Sequence, residues 1–293
     1  MVCSNDLGGL RVCDRSSKVK AFSSYPAWED SADLRSLLDF KRAITNDPRG
    51  ALSAWNASAH FCLWNGVWCG GRPRRVVALD LAGQGLSGQI AASLGNLSSL
   101  AALNLSTNSF SGPIPLHLGR LTELRSLDLS YNTLQGSIPG ALTNCSTLRT
   151  LNLSRNFLVG RIPAELGRLS NLTSLSLRFN NLTGIIPPEL CNVTSLKERR
   201  LTYNQLGGSI PAGIGKLTEL RTLSLAENRI SGGIPESLFN LSLLELLSLI
   251  GNRLDGQLPP AIGNAFPSLQ FLDLATNMIE GSVPASLGNL SSI

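Results

Sequence analysis

The chain has 293 residues, 43% of them hydrophobic but only 5% aromatic, with 25 Lys+Arg against 20 Asp+Glu. Residues 1–75 hold 11 cations against 7 acids and residues 76–293 hold 14 against 13, so the net charge of +5 is mostly N-terminal. The remainder lacks the clustered basic face of a nucleic-acid binder, and no run of residues is long and apolar enough to span a membrane.

Residues 1–30 read as irregular or disordered. They hold Cys3 and Cys13, which the spacing does not assign, and no apolar run of a secretory signal is visible there. Residues 31–75 read as a cap. Ser31 or Asp33 is placed to N-cap a helix, and Leu34, Leu37, Leu38, Lys41 and Ile44 follow at helical spacing. Asn46-Asp47-Pro48 ends that helix, and Pro48 is expected to begin a second short one carrying Leu52 and Trp55. Cys62 and Cys69 flank a short loop beside two tryptophans. A disulfide is the expected pairing, because a zinc site needs a second pair at ligand spacing and there is none.

From Val76 a 24-residue phrase, LxxLxLxxNxLxGxIPxxLGxLxx, recurs nine times. Its asparagines are Asn108, Asn132, Asn156, Asn180, Asn204, Asn228, Asn252 and Asn277, with Gln84 in the same place one period earlier. One extra residue precedes Asn277. In each copy an alternation such as Leu127-x-Leu129 predicts a short strand with one apolar face. The asparagine then turns the chain, its amide able to satisfy backbone groups the turn leaves unpaired. Gly-x-Ile-Pro bends the chain into an extended return. One such coil cannot bury its own leucines, whereas stacked coils can. The expected fold is therefore an α/β solenoid: a right-handed leucine-rich-repeat superhelix with a parallel concave sheet and a helical N-terminal cap. The repeats fill residues 76–293. They stop one residue into a tenth copy without a cap, which predicts an N-terminal fragment.

Three residues depart from the phrase. Cys145 stands at a leucine place and Cys191 at a glycine place; two coils separate them, so buried free thiols are expected. Arg199 stands where Leu127, Leu151, Leu175 and Leu223 face the core, and is expected to snorkel outward or distort its strand. Histidine occurs only at His60 and His117, neither with a nucleophile at a recognisable spacing. With no phosphate loop and no metal cluster, neither an enzyme nor a cofactor is expected. Ten N-glycosylation sequons begin at Asn56, Asn96, Asn104, Asn144, Asn152, Asn171, Asn181, Asn192, Asn240 and Asn289. The repeat phrase itself creates some of these, and their density points to secretion.

DLRSLLDFKRAITNDPRGALSAWN followed by HFCLWNGVWC resembles the N-terminal cap of plant leucine-rich-repeat receptor-like kinases. The LxGxIP element resembles the plant repeat class. RRVVALDLAGQGLSGQIAASLGNLSSL is similar to the subfamily of immune receptors for bacterial flagellin and elongation factor Tu. The resemblance implies an extracellular part of a receptor kinase at the plasma membrane. Such a part binds a peptide or protein on its concave side and recruits a shorter leucine-rich-repeat co-receptor kinase, here expected in defence signalling. Plant polygalacturonase inhibitors, secreted against microbial enzymes, use the same coil and are the alternative, as is a receptor-like protein lacking a kinase.

Because the leucines are committed to the core, the candidate ligand-binding residues are the variable strand positions: Arg149, Asn152, Arg155, Ser176, Arg178, Phe179, Arg200, Thr202, Tyr203, Ser224 and Glu227. Arginines beside exposed aromatics suit an interface. Arg155, Phe179, Tyr203 and Glu227 precede the asparagine in four consecutive coils and form a stripe.

Overall fold

The computed structural model describes residues 3–7, 10–13, 32–56 and 58–290. Within the stretch expected to be irregular, Cys3–Leu7 and Leu10–Cys13 pair antiparallel, with Cys3 opposite Cys13.

The repeat phrase folds as nine stacked coils. The LxL alternation supplies one strand per coil, from Arg75–Asp80 through Phe271–Asp273, all parallel and in 24-residue register except the last pair, which is offset by 25. With Val67–Gly70 added antiparallel at the cap end they make a ten-stranded sheet along the concave face. The Gly-containing returns of six coils, with Ile44–Asn46 of the cap added antiparallel, give a seven-stranded second sheet. Eight coils close through a single 3-10 turn such as Ala164–Arg168, whose leucine points inward. Between these layers runs one continuous core, in which Leu124, Leu127, Leu129, Leu134, Leu148 and Leu151 are all fully buried. Neighbouring coils supply almost all contacts, as expected for a quasi-linear protein.

The asparagines hold the coils to one another. Asn156 donates its amide to the carbonyl oxygens of Leu129, Leu153 and Ser154 at 3.0, 3.1 and 3.3 Å, and its side-chain oxygen accepts from Leu134 N at 3.0 Å. Asn132, Asn180, Asn204, Asn228 and Asn252 repeat the pattern. Gln84, one methylene longer, donates only to Ala82 O in its own turn. The extra residue before Asn277 is absorbed where the tight turn becomes a short α-helix, Ile262–Ala265. A smaller rise per residue fits one more residue into the same length.

The cap departs from expectation in three places. The helix ends at Arg42, and Ile44 lies in the strand Ile44–Asn46, paired antiparallel with Ser87–Gln89. Asp33 lies inside helix Ala32–Arg42, and Ser31 lies outside the described residues. The Asp33 carboxylate, buried, accepts two bonds from the Arg75 guanidinium at 2.9 and 2.7 Å and one from Val76 N at 2.9 Å. It ties the helix to the first strand instead of capping. Pro48 begins no helix: the carboxylate of Asp47 accepts from Ala51 N and Leu52 N and holds a run of turns. Leu52 and Trp55 are nonetheless buried, and Trp55 stacks on Trp64 with ring centroids 5.2 Å apart. Cys62 and Cys69 form the disulfide.

Arg199 neither snorkels nor distorts its strand. It pairs in register with Leu175 and Leu223, and its side chain is fully buried. None of its three guanidinium nitrogens has a hydrogen-bond partner. Burial pulls its pKa below the ordinary arginine value, opposed by the nearby Cys191 sulfur. Cys191 and Cys145 are buried and unpaired. A side chain at the Cys191 place needs room, since a Cβ on Gly95 or Gly119 would meet the next coil's carbonyl oxygen at about 2 Å. At Cys191 the next coil provides Gly213, where a Cβ would lie 3.2 Å from Cys191 Cβ.

Candidate functional site

The residue before each asparagine adopts a left-handed backbone: Thr107, Tyr131, Arg155, Phe179, Tyr203, Glu227 and Thr276 all have φ between 53° and 56°. A side chain pays about 1–2 kcal/mol for this conformation. The turn recovers it through backbone bonds to the next coil, such as Arg155 N to Arg178 O at 2.9 Å and Asn156 N to Phe179 O at 3.2 Å. The same backbone in every coil lines these side chains up along one border of the concave sheet.

Coil spacing in a parallel sheet is about 4.8 Å, close to the separation of stacked rings. Phe179 and Tyr203 therefore stack, with centroids 4.5 Å apart and planes 13° from parallel. Arg155 lays its guanidinium carbon 4.1 Å over the Phe179 ring and 5.1 Å over the Tyr131 ring. Arg178 approaches Phe179 at 5.8 Å. The expected stripe thus exists at Arg155, Phe179 and Tyr203, and it extends to Tyr131, which the sequence reading left out. Glu227 keeps the register but bends toward Gly251 of the next coil.

The strand positions form the adjoining row. Asp128, Asn152, Ser176, Arg200 and Ser224 stand opposite one another across five coils. Several are engaged within the row. Asn152 donates to Asp128 Oδ2 at 3.0 Å and accepts from Ser154 N at 3.2 Å. Ser176 donates to Ser154 at 3.3 Å, and the Thr202 and Ser224 hydroxyls lie 2.5 Å apart. Arg200 pairs with Glu198 at 3.6 Å across an exposed surface, an interaction of small worth. Arg149, Arg155 and Arg178 make no ion pair among the described residues. Arg155 and Arg178 lie against the Phe179 ring, and Arg149 is exposed at the other end of its coil's strand. The order of charges along the face changes from coil to coil, with Asp80 and Asp128 toward the cap and the arginines in the middle.

Beside the ring stack, on the second-sheet side, lies a cavity of about 690 Å³ bordered by Phe157, Val159, Phe179, Asn181 and Tyr203. Phe157 and Val159 were not among the expected site residues. A signal was present in the sequence: their places in other coils hold Ser109, Thr133 and Gln205, and Ser111, Gln135 and Thr183.

No group of three or more His, Cys, Asp or Glu among the described residues is arranged to hold a metal ion. His60 accepts from Cys62 N through Nδ1 at 3.2 Å and caps a turn, and burial lowers its pKa. No helix among the described residues is long and apolar enough to cross a membrane. Cap and coils account for residues 32–290, so no kinase domain lies among them.

With this geometry in view, comparison with known proteins is informative. The leucine rich repeat N-terminal domain model matches residues 30–70, and the Leucine Rich Repeat model matches seven segments: 99–121, 123–145, 147–169, 171–193, 219–241, 243–265 and 268–290. The coil carrying Arg199 falls between two matched segments. The chain is 45% identical over 74 residues to the LRR receptor-like serine/threonine-protein kinase EFR of Arabidopsis thaliana, a segment covering 25% of the chain and 7% of that relative. Among solved structures it is similar to the ectodomain of the membrane receptor kinase GASSHO1/SCHENGEN3 of Arabidopsis thaliana in complex with CASPARIAN STRIP INTEGRITY FACTOR 2. That match has 39% identity and a TM-score of 0.84, over 88% of this chain and 31% of that one. It is also similar to the Arabidopsis receptor kinase HAESA in complex with the peptide hormone IDA and the co-receptor SERK1, with 38% identity and a TM-score of 0.81, over 89% of this chain and 44% of that one. The chain thus spans less than half the length of each of these relatives. Its repeats, its cap and its parallel sheets together show that it belongs to the leucine-rich repeat family, with similarity to plant receptor-like kinase ectodomains.

Proposed function

We propose that this chain is the ligand-binding part of a plant receptor-like kinase ectodomain, recognising an extended peptide or protein segment on its concave face. The observation that carries this reading is the border formed by Tyr131, Arg155, Phe179 and Tyr203, with Arg178, which makes no ion pair among the described residues, beside it. Arginine forks bind carboxylates in two-point geometry, and flat rings bury area at little entropic cost. Two similar ectodomains carry peptide or protein ligands in their solved complexes, one of them with a co-receptor. A leucine-rich-repeat co-receptor kinase is accordingly the proposed partner, and the extracellular side of the plasma membrane the proposed location of the parent protein.

The sequons support the same face. Asn96, Asn144, Asn192, Asn240 and Asn289 each end a 3-10 turn on the far side of the coils, all exposed. Asn56, Asn171 and Asn181 are exposed as well. Asn104 and Asn152 alone lie in the concave strands, and they are only partly exposed. Glycans at the seven exposed sites other than Asn181, whose side chain borders the cavity beside the ring stack, leave the central concave face open.

The reading is tested with a displayed library of random peptides selected on the purified chain. Selected peptides are expected to bind the wild type and to lose at least tenfold in affinity on the Arg155→Ala/Arg178→Ala/Arg200→Ala variant. Unchanged affinity rules out this face. Defence signalling follows from the resemblance to immune receptors. Plants lacking the parent receptor are expected to lose an oxidative burst to some microbial extract; a full burst to every extract removes the defence assignment and leaves peptide recognition standing.

A further inference from the structure

The cavity beside the ring stack lies on the second-sheet flank, outside the row of strand positions. One coil builds its floor. Phe157 and Val159 are apolar at two places where the neighbouring coils carry Ser, Thr, Gln or Asn, yet they are 60% and 41% exposed. Tyr203, at 48%, closes one wall together with Phe179. Burial in this fold has no use for Phe157 and Val159 exposed in one coil, with Ile185 exposed at the end of the next strand on the same flank, and a large exposed apolar cluster rimmed by polar groups marks a binding surface.

No charged side chain lines the cavity itself, and the two charged groups that touch its Phe179 wall are both positive. Arg155 and Arg178 both touch the Phe179 ring, at 4.1 and 5.8 Å, and neither has an acidic partner among the described residues. The Phe179 ring thus has the cavity along one edge and two uncompensated guanidinium groups over and beside it. A volume of about 690 Å³ exceeds what one large side chain fills, so a side chain and its flanking backbone fit together.

We infer that this cavity is a side-chain specificity pocket for an acidic peptide: it takes an aromatic or large aliphatic side chain, while an adjacent Asp or Glu of the same segment binds Arg155 and Arg178. The inference rests on the peptide-binding reading above and adds to it where one residue of the ligand sits and what flanks it. Charge complementarity selects the acidic flank, since a basic segment would bring cations against unpaired arginines. The polar edges contributed by Gln135 and Asn181 serve the peptide backbone.

The probe is a capped heptapeptide with a central Phe between two Asp, compared with the same peptide carrying Ala for Phe or Lys for both Asp, and titrated by ligand-observed NMR. The wild type is expected to bind the Phe/Asp peptide at least tenfold more tightly than either control. Val159→Arg, which fills the cavity, and Phe157→Thr, which places there the residue of the preceding coil, Thr133, are expected to abolish that preference. Glu165→Ala, in an exposed 3-10 turn on the far side of the coils, leaves it intact. Equal binding of the three peptides, no binding of the Phe/Asp peptide at millimolar concentration, or indifference to both cavity variants overturns the inference. Library-selected peptides that depend on Arg200 but ignore Val159→Arg would leave concave-face recognition standing and remove the pocket alone. A heptapeptide preference that survives when selected peptides ignore the triple arginine variant would do the reverse.

Discussion

The guanidinium carbon of Arg155 lies 4.1 Å over the ring of Phe179, and both residues hold a left-handed backbone at φ 53° and 54°. Contact and strain are coupled, because the same turn that costs backbone energy brings consecutive coils' side chains to stacking distance. Replacing Phe179 by Gly removes a stacked pair and a cation–π contact worth roughly 1–2 kcal/mol and relieves a backbone cost of similar size. Phe179→Gly is therefore expected to stay within about 1 kcal/mol of wild type, while Phe179→Val, β-branched in that conformation, loses more than both. Thermal melts of the two variants check the order; equal losses would show that the turn is not strained.

Arg199→Leu is expected to raise the melting temperature by several degrees. The guanidinium is fully buried without a hydrogen bond, in a strand whose register partners are Leu175 and Leu223. Replacing buried ionic groups by leucine-sized apolar ones gains about 1–4 kcal/mol where no partner is left behind. A neutral or lower melting temperature would show that the surroundings of Arg199 stabilise its charge.

Asn156→Ala removes four hydrogen bonds, three donated and one accepted, and leaves the backbone N–H of Leu134 buried without its acceptor. A loss of about 2–4 kcal/mol is expected. Because coils couple only to neighbours, amide exchange should speed up around Leu134 and Leu158 before it does in the cap. Uniform acceleration along the chain would contradict nearest-neighbour coupling.

Cys145 gives a pH dependence with a definite sign. Burial pushes its thiol from 9.0 up to about 11. Below pH 9 both folded and unfolded chains keep the proton, and the site contributes no slope. Between pH 9 and 11 the unfolded chain ionises first, so stability falls as pH rises, by up to about 1.4 kcal/mol per unit. Cys145→Leu, which restores the residue of Leu97 and Leu121, is expected to lose less stability than wild type between pH 8 and 10. Parallel pH profiles for the two proteins would refute the assignment. In the native chain at pH 8 neither Cys145 nor Cys191 should react with a thiol reagent, since both are buried.

Much of the fold was legible because its rules are periodic. Leucine places, asparagine turns and the Gly-x-Ile-Pro return follow from one phrase, and each coil meets the same neighbours. The cap was harder. The helix was readable from its spacing, but the Asp33–Arg75 pairing joins residues 42 apart and no local pattern announces it. Pro48 is compatible with a helix start, and the Asp47 carboxylate, by binding two backbone N–H groups, settled the segment as turns. Arg199 was visible as an anomaly, but whether a long cationic side chain escapes a core depends on the packing of the coils on either side.

The border of Arg155, Phe179 and Tyr203 was readable as a register, since equal spacing in a stacked repeat places residues in a column. Tyr131 stands in the same column, one coil before the candidate strands that run from Arg149 to Glu227, and only the contact of its ring with Arg155 joins it to them. Phe157 and Val159 were missed because the search stayed on the strands, whereas the cavity draws on the second sheet.

What the amino-acid sequence determined by itself is the architecture: a solenoid with fixed leucines inside, variable residues outside and asparagines at the turns. This holds because each coil's interactions are local or one period away. What only the tertiary structure decided is which of the variable residues act together. Stacking distances, the left-handed backbone that aims the side chains and the cavity shared by two sheets arise only when separate coils are brought within about 5 Å of one another.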